Sequence, residues 1–247
     1  MRLTEFSHGD SFIHLMDPRS KIVTTVIFSV FVAVNNSLQV CALALIFPLV
    51  ILGLGRISFS KTLRRLAAIN SFLVILWLLL PFSYPGDPLF AIGSWTATQQ
   101  GALMALMITL KSNAIVLTMI ALLGSSSIFS LAHALTHLGV PEKIALLFFF
   151  SYRYIHVINT EFETLSRAMK IRSFRPSMNI HTYRSYAYLV GMLLVKSFDR
   201  SNRIMAAMKC RGFKGKFYIL HHYQMKRMDF LLPAVSGIFA VLIMVVR

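Results

Sequence analysis

The chain has 247 residues, is 56% apolar and only 14% charged, and carries a formal net charge of +16 from 25 Lys and Arg against 9 Asp and Glu. Soluble domains are about 25% charged, so a soluble nucleic-acid binder is excluded. So are a disulfide-built secreted scaffold, which two cysteines cannot make, and an acidic or disordered chain. A mean hydropathy of +0.67 fits an integral membrane protein whose cations lie off the bilayer.

Five apolar runs read as membrane spans. The first, Ile22 to Val34, follows Asp17-Pro18, an N-cap and first-turn proline that start a helix. A signal peptide is the competing reading. Against it stand the long polar leader, the lack of an A-x-A site and a second apolar run three residues on. Asn35-Asn36-Ser37 makes a tight turn into Leu38 to Leu54. The third run, Leu66 to Phe82, ends at Pro81 and the turn-rich stretch 83–88. The fourth is Ala102 to Leu123 and the fifth Phe230 to Val246. A shorter run, Ile144 to Phe150, is too short to span and reads as part of a long interfacial helix.

With five spans, residues 1–21, 55–65 and 124–229 share one side and hold 23 of the 25 cations. The positive-inside rule makes that side cytoplasmic, with the N-terminus in and the C-terminus out. The reading is an all-α polytopic fold in three parts. Residues 1–123 form a membrane region of four spans, 124–229 a cytoplasmic coupling-helix region, and 230–247 a last span. Two helices are predicted within the cytoplasmic part, from Pro141-Glu142 to about Lys170 and from about Tyr183 to Cys210. Glu163/Arg167 and Asp199/Arg203 have the spacing of stabilising pairs.

Those two helices end in a repeat. Residues 168–175 read Ala-Met-Lys-Ile-Arg-Ser-Phe-Arg and residues 207–214 read Ala-Met-Lys-Cys-Arg-Gly-Phe-Lys. The small residue after each Arg suits a helix C-cap. Cations at helix C-termini complement the macrodipole, and basic residues also favour a lipid surface. Neither accounts for the repeated Ala-Met-Lys-x-Arg-small-Phe. The sharper reading is docking of two like motifs onto a partner with two like sites, Arg being suited to a fixed bond with a carboxylate.

Several motifs are shared with a known family. Asp17-Pro18-Arg19-Ser20-Lys21 precedes the first span. Leu138-Gly139-Val140-Pro141 and Tyr152-Arg153-Tyr154-Ile155 mark the first cytoplasmic helix. Tyr183-Arg184-Ser185, Gly191-Met192-Leu193-Leu194, Ser197-Phe198-Asp199-Arg200 and Arg211-Gly212-Phe213 mark the second. Across nearly its whole length the chain resembles the transmembrane T component of energy-coupling factor (ECF) transporters, of the cobalt-type CbiQ group. The family's x-Arg-x motifs map to Ile171-Arg172-Ser173 and Cys210-Arg211-Gly212. Neither has the usual preceding Ala, and the first has Ser for Gly.

The resemblance implies a non-catalytic coupling subunit of an ATP-driven importer in a prokaryotic cytoplasmic (inner) membrane. Its partners would be two CbiO/EcfA-like ATPases, which hold ATP and Mg²⁺, and a substrate-binding CbiM-like membrane subunit with a small CbiN-like one. Arg172 and Arg211 would each enter an ATPase groove. The cargo implied is Co²⁺, with Ni²⁺ or a vitamin as alternatives; a secondary transporter subunit is the reading from another class.

The chain's own residues supply no Walker sequence, because Gly212-Phe213-Lys214-Gly215-Lys216 has the wrong spacing. No catalytic motif or cofactor site is read. No metal ligand is assigned either, since His133 and His137 lack a third ligand nearby in sequence and His221-His222 point apart on a helix. Lys111 is the one cation inside a predicted span. It is a functional flag by default, weighed against a structural role on backbone carbonyls.

Overall fold

The computed structural model describes residue 13 and residues 16–55, 58–92, 95–215 and 227–245. Arg2, Arg56, Lys216, Lys226 and Arg247 from the charge pattern, and His221-His222, lie outside these residues. The described residues fall into two compact units, one within 1–138 and 223–247 and the other within 139–222.

The first unit is a helical bundle. Helix α1 spans Pro18–Val34; Asp17 caps it by accepting from the Arg19 amide at 2.9 Å, with Pro18 at the first helical position. The second apolar run is broken rather than continuous, into α2 (Leu38–Ala44) and α3 (Ile46–Leu54). Pro48 explains the break: it has no N–H to give to the Ala44 carbonyl, and its ring crowds that carbonyl. Helix α4 spans Phe59–Ser83 and α5 spans Gln99–Leu122.

Between α4 and α5 the structure departs from an all-helical reading. Strands β1 (Pro88–Ile92) and β2 (Trp95–Thr98) pair antiparallel, with Ile92 opposite Trp95 and Pro88 opposite Thr98. Aromatic and β-branched residues there favour a pleated strand over a turn. Thr98 then joins the two long helices. Its hydroxyl donates to the carbonyls of Tyr84 (2.7 Å) and Pro81 (3.1 Å), and it accepts from the Gly101 amide. Gly101 is required there, since a Cβ would meet the Leu80 carbonyl at 2.6 Å.

A short helix, α6 (Ile128–His137), follows, capped by Ser127, which accepts from the Ser130 amide. The bundle closes with a 3-10 turn, Arg227–Phe230, leading into α9 (Leu231–Val245). Among the described residues, all five predicted apolar runs are therefore mostly helical. By length and composition, α4 and α5 are apolar enough to cross a membrane.

The core forms where α1, α2, α3 and α5 meet: Phe28, Val32, Ala44, Phe47, Ile51, Ala114, Leu117 and Ala121 are buried together. Phe28 stacks on Phe47 at 4.8 Å between ring centroids. Phe47 in turn meets Phe239 of α9 at 5.6 Å. Small residues on α5, Ala114 and Ala121, let α1 approach closely.

The helices are unequal. At 1.5 Å per residue α5 is about 36 Å long and α1 about 25 Å. The Lys21 ammonium donates to Ser125 and Ser126, just past the end of α5, while the Lys111 ammonium donates to the Ala33 carbonyl at 3.1 Å and to Asn36 Oδ1 at 2.8 Å. Helix α1 thus runs antiparallel beside only the second half of α5. Lys111 sits over its C-terminal end, where a cation meets carbonyls that lack helical donors.

The second unit is a pair of long helices, α7 (Glu142–Ile171, 30 residues) and α8 (Ile180–Cys210, 31 residues). Both helices match the sequence expectation to within a turn. Glu161 of α7 pairs with Lys196 and Arg200 of α8, the latter at 3.2 Å. Further along, Phe150 and Tyr154 line a common groove with Ile204 and Met208. Higher numbers on one helix meet lower numbers on the other, so the pair is antiparallel.

Candidate functional site

The two repeat copies end their helices in the same way. Arg172 closes α7 and Arg211 closes α8. In the first, the Ser173 amide donates to the Lys170 carbonyl at 3.0 Å and the Phe174 amide to the Met169 carbonyl at 3.1 Å. In the second, the Gly212 amide donates to Lys209 at 3.0 Å and the Phe213 amide to Met208 at 3.0 Å. This is the Schellman arrangement, which needs a left-handed residue just past the end and favours an apolar contact across it. Ser173 has φ +61° and Gly212 φ +79°.

Much of the repeat is thereby explained by backbone chemistry. The small residue supplies the left-handed turn, and the Met/Phe pair occupies the two positions that this cap sets against each other. The cap does not require the arginines. Ile171, Arg172, Ser173, Cys210, Arg211 and Gly212 are all exposed, Ile171 at 85%. Each arginine stands at a helix end with an apolar or small residue on either side.

The surroundings differ at the two ends. Beside Arg211 lies an open groove of about 840 Å³ that Arg153, Lys214, Tyr154 and Phe213 also line. Near Arg172, Phe174 packs edge-on against Tyr186 at 5.7 Å.

The α7–α8 pair is held by charge. A hydrogen bond from Lys196, and then the nearby charges of Lys196 and Arg200, hold the Glu161 carboxyl below its ordinary value. The expected Glu163–Arg167 pair forms at 3.4 Å. The Asp199–Arg203 pair does not form, and the neighbouring Arg200 instead turns across to Glu161. Beyond these contacts the pair is open: Leu147, Leu194, Val195 and Phe198 are more than half exposed, so apolar faces of both helices lack cover within their own unit.

Among the described residues no group of three His, Cys, Asp or Glu side chains could hold a metal ion. His133 and His137 meet ring to ring at 4.7 Å between centroids on α6.

Residues 9–219, most of the chain, match the family model described as CbiQ, cobalt transport protein. The chain belongs to this CbiQ family. It is the family whose motifs the sequence carries. The chain is also 25% identical over 226 residues to the energy-coupling factor transporter transmembrane protein EcfT of Bacillus subtilis, covering 87% of this chain and 85% of that protein. It is 28% identical over 224 residues to EcfT of Streptococcus thermophilus, with 84% and 83% covered. It is 29% identical over 226 residues to EcfT of Macrococcus caseolyticus, with 87% and 85% covered.

For this CbiQ-family chain, sequence reasoning missed two groups. Glu161 was not singled out, because a cross-helix pair leaves no spacing signal. Lys21 was counted only among the cations of the cytoplasmic side and as part of the Asp17–Lys21 motif, yet it is fully buried. A signal did exist for it: Lys21 stands four residues after the capping Asp17, on the same face of the first turn.

Proposed function

We propose that this chain is the transmembrane coupling subunit of an ATP-driven ECF importer and that Arg172 and Arg211 each dock one of two like ATPases. One observation carries the reading. Two antiparallel helices of nearly equal length end on the same cap, each with an exposed arginine. Arg211 stands level with the early part of α7 and Arg172 closes that helix. The two arginines are therefore separated by about 25 residues of helix, on the order of 35 Å. An antiparallel pair with like ends has an approximate two-fold relation, which suits a partner built from two like subunits.

The family description favours Co²⁺ as cargo, carried by a separate membrane subunit of the CbiM type. Motion of the ATPase pair would pull on the ends of α7 and α8, and the uncovered apolar faces of these helices would pass that motion to the substrate-binding subunit. In the proposed topology α1, the α2–α3 segment, α4, α5 and α9 lie in the cytoplasmic membrane and the coupling helices face the cytoplasm. ATP is bound and hydrolysed by the partners.

The test is co-purification with the ATPases, together with ATP-driven ⁵⁷Co²⁺ uptake. Arg172→Ala and Arg211→Ala should each weaken ATPase retention at least tenfold, about 1.4 kcal/mol, and the double variant should abolish it with membrane insertion intact. Full uptake by the double variant would overturn the docking role. Uptake that persists without ATPases would identify a secondary transporter, and Ni²⁺ or vitamin uptake in place of Co²⁺ would reassign the cargo.

A further inference from the structure

The first unit contains a buried polar knot that docking does not use. Lys21, Asp17, Ser125 and Asp229 are each at most 5% exposed. The Lys21 ammonium donates to Ser126 Oγ at 2.8 Å and Ser125 Oγ at 3.2 Å. The Asp17 amide donates to Asp229 Oδ1 at 2.9 Å. Both carboxylates attract the Lys21 ammonium. Ser125 is fixed in turn, donating to the Leu122 carbonyl at 2.8 Å.

What gives the knot its meaning is chain connectivity. The coupling unit is one continuous segment, so the chain enters it once and leaves it once. Its leading connection is α6, a ten-residue helix that begins just after Ser125 and Ser126 and ends at His137. On its trailing side the described residues resume at the 3-10 turn that holds Asp229. Both connections are therefore tied to the first turn of α1, one through Lys21 and the other through the Asp17 amide. The Lys21 tie cannot lengthen without taking a buried ammonium away from its hydroxyl partners, which is strongly disfavoured. Such ties transmit displacement where an apolar contact would slide.

We propose that Lys21 and Asp229 are positioning residues for energy coupling: they tie both ends of the coupling segment to α1, so that movement of α7 and α8 moves the membrane bundle. The inference rests on the proposed coupling role. It assigns the Asp-Pro-Arg-Ser-Lys segment the task of receiving motion, distinct from the arginines that receive the ATPases.

The experiment uses the whole complex in proteoliposomes and compares three quantities: ATPase retained, ATP hydrolysed, and Co²⁺ taken up per ATP. Lys21→Met fills the same space without the charge. Because it leaves two buried carboxylates without their cation and can fail to fold, the double variant Lys21→Met with Asp229→Asn is made as well; it keeps the net charge of the knot. The expected result for the double variant is wild-type ATPase retention and hydrolysis, with uptake per ATP reduced at least tenfold. Wild-type uptake per ATP would overturn the proposal. So would a loss of uptake that only follows the loss of assembled complex, since that marks a purely structural role. Failure of the wild-type chain to retain ATPases would instead overturn the coupling reading itself.

Discussion

At Ser173 the backbone takes φ +61°, a conformation that costs a residue with a Cβ about 1 kcal/mol. Its counterpart in the second copy is glycine, which bears no such cost. Ser173→Gly should therefore stabilise the end of α7 by about 1 kcal/mol, and Gly212→Ala should destabilise the end of α8 by a similar amount. Thermal unfolding of the purified protein checks both, as opposite shifts in Tm. The small residue after each Arg was legible from the repeat, because a left-handed cap needs a particular residue type. The burial of Lys21 was not. Its hydroxyl partners lie more than a hundred positions away in the chain, and hydropathy treats every lysine as wet. Lys111 shows the same limit: the sequence left a functional and a structural reading open, and only the placement of the Ala33 carbonyl beside it shows what its ammonium does.

Among the elements, the α7–α8 pair carries a pH-dependent contact. Lys196 and Arg200 hold the Glu161 carboxyl below its ordinary value of 4.5. Separated helices therefore bind a proton more readily than the packed pair. The contribution of this contact is complete above pH 4.5 and is lost as pH falls through the lowered value. Unfolding followed between pH 7 and pH 3 should show stability dropping at the acid end. Glu161→Gln should lower stability at neutral pH and flatten that drop; an unchanged acid limb would remove Glu161 as its source. Helix existence was legible here, since long periodic runs with capping residues announce themselves. The break at Leu45 and the β1–β2 hairpin were not read. A single Pro48 inside an apolar run, and strand-forming residues hidden in a stretch rich in turn signals, are local signals that a count of apolar residues averages away.

For the whole molecule, the two cysteines offer a direct check of topology without any substitution. Cys41 is buried in the bundle and Cys210 is exposed at the end of α8. A membrane-impermeant maleimide should label Cys210 in inside-out vesicles and leave it unlabelled in right-side-out ones, while Cys41 stays unreactive in both. Labelling from the outside would reverse the proposed orientation. The proposed orientation rests on charge asymmetry, which can be counted without any tertiary structure. The difference in helix length was not readable, since it depends on which part of α5 the shorter α1 packs against. It bears on how the protein is made. In the proposed topology the long α4–α5 pair, with its own Thr98 junction, would settle in the bilayer as a hairpin while the rest is still being synthesised. Helix α1 leaves the ribosome earlier, yet its packing surface on α5 is translated some 80 to 100 residues later, and α9, which also packs on it, follows later still. The packing of α1 is thus completed only once α9 has been made.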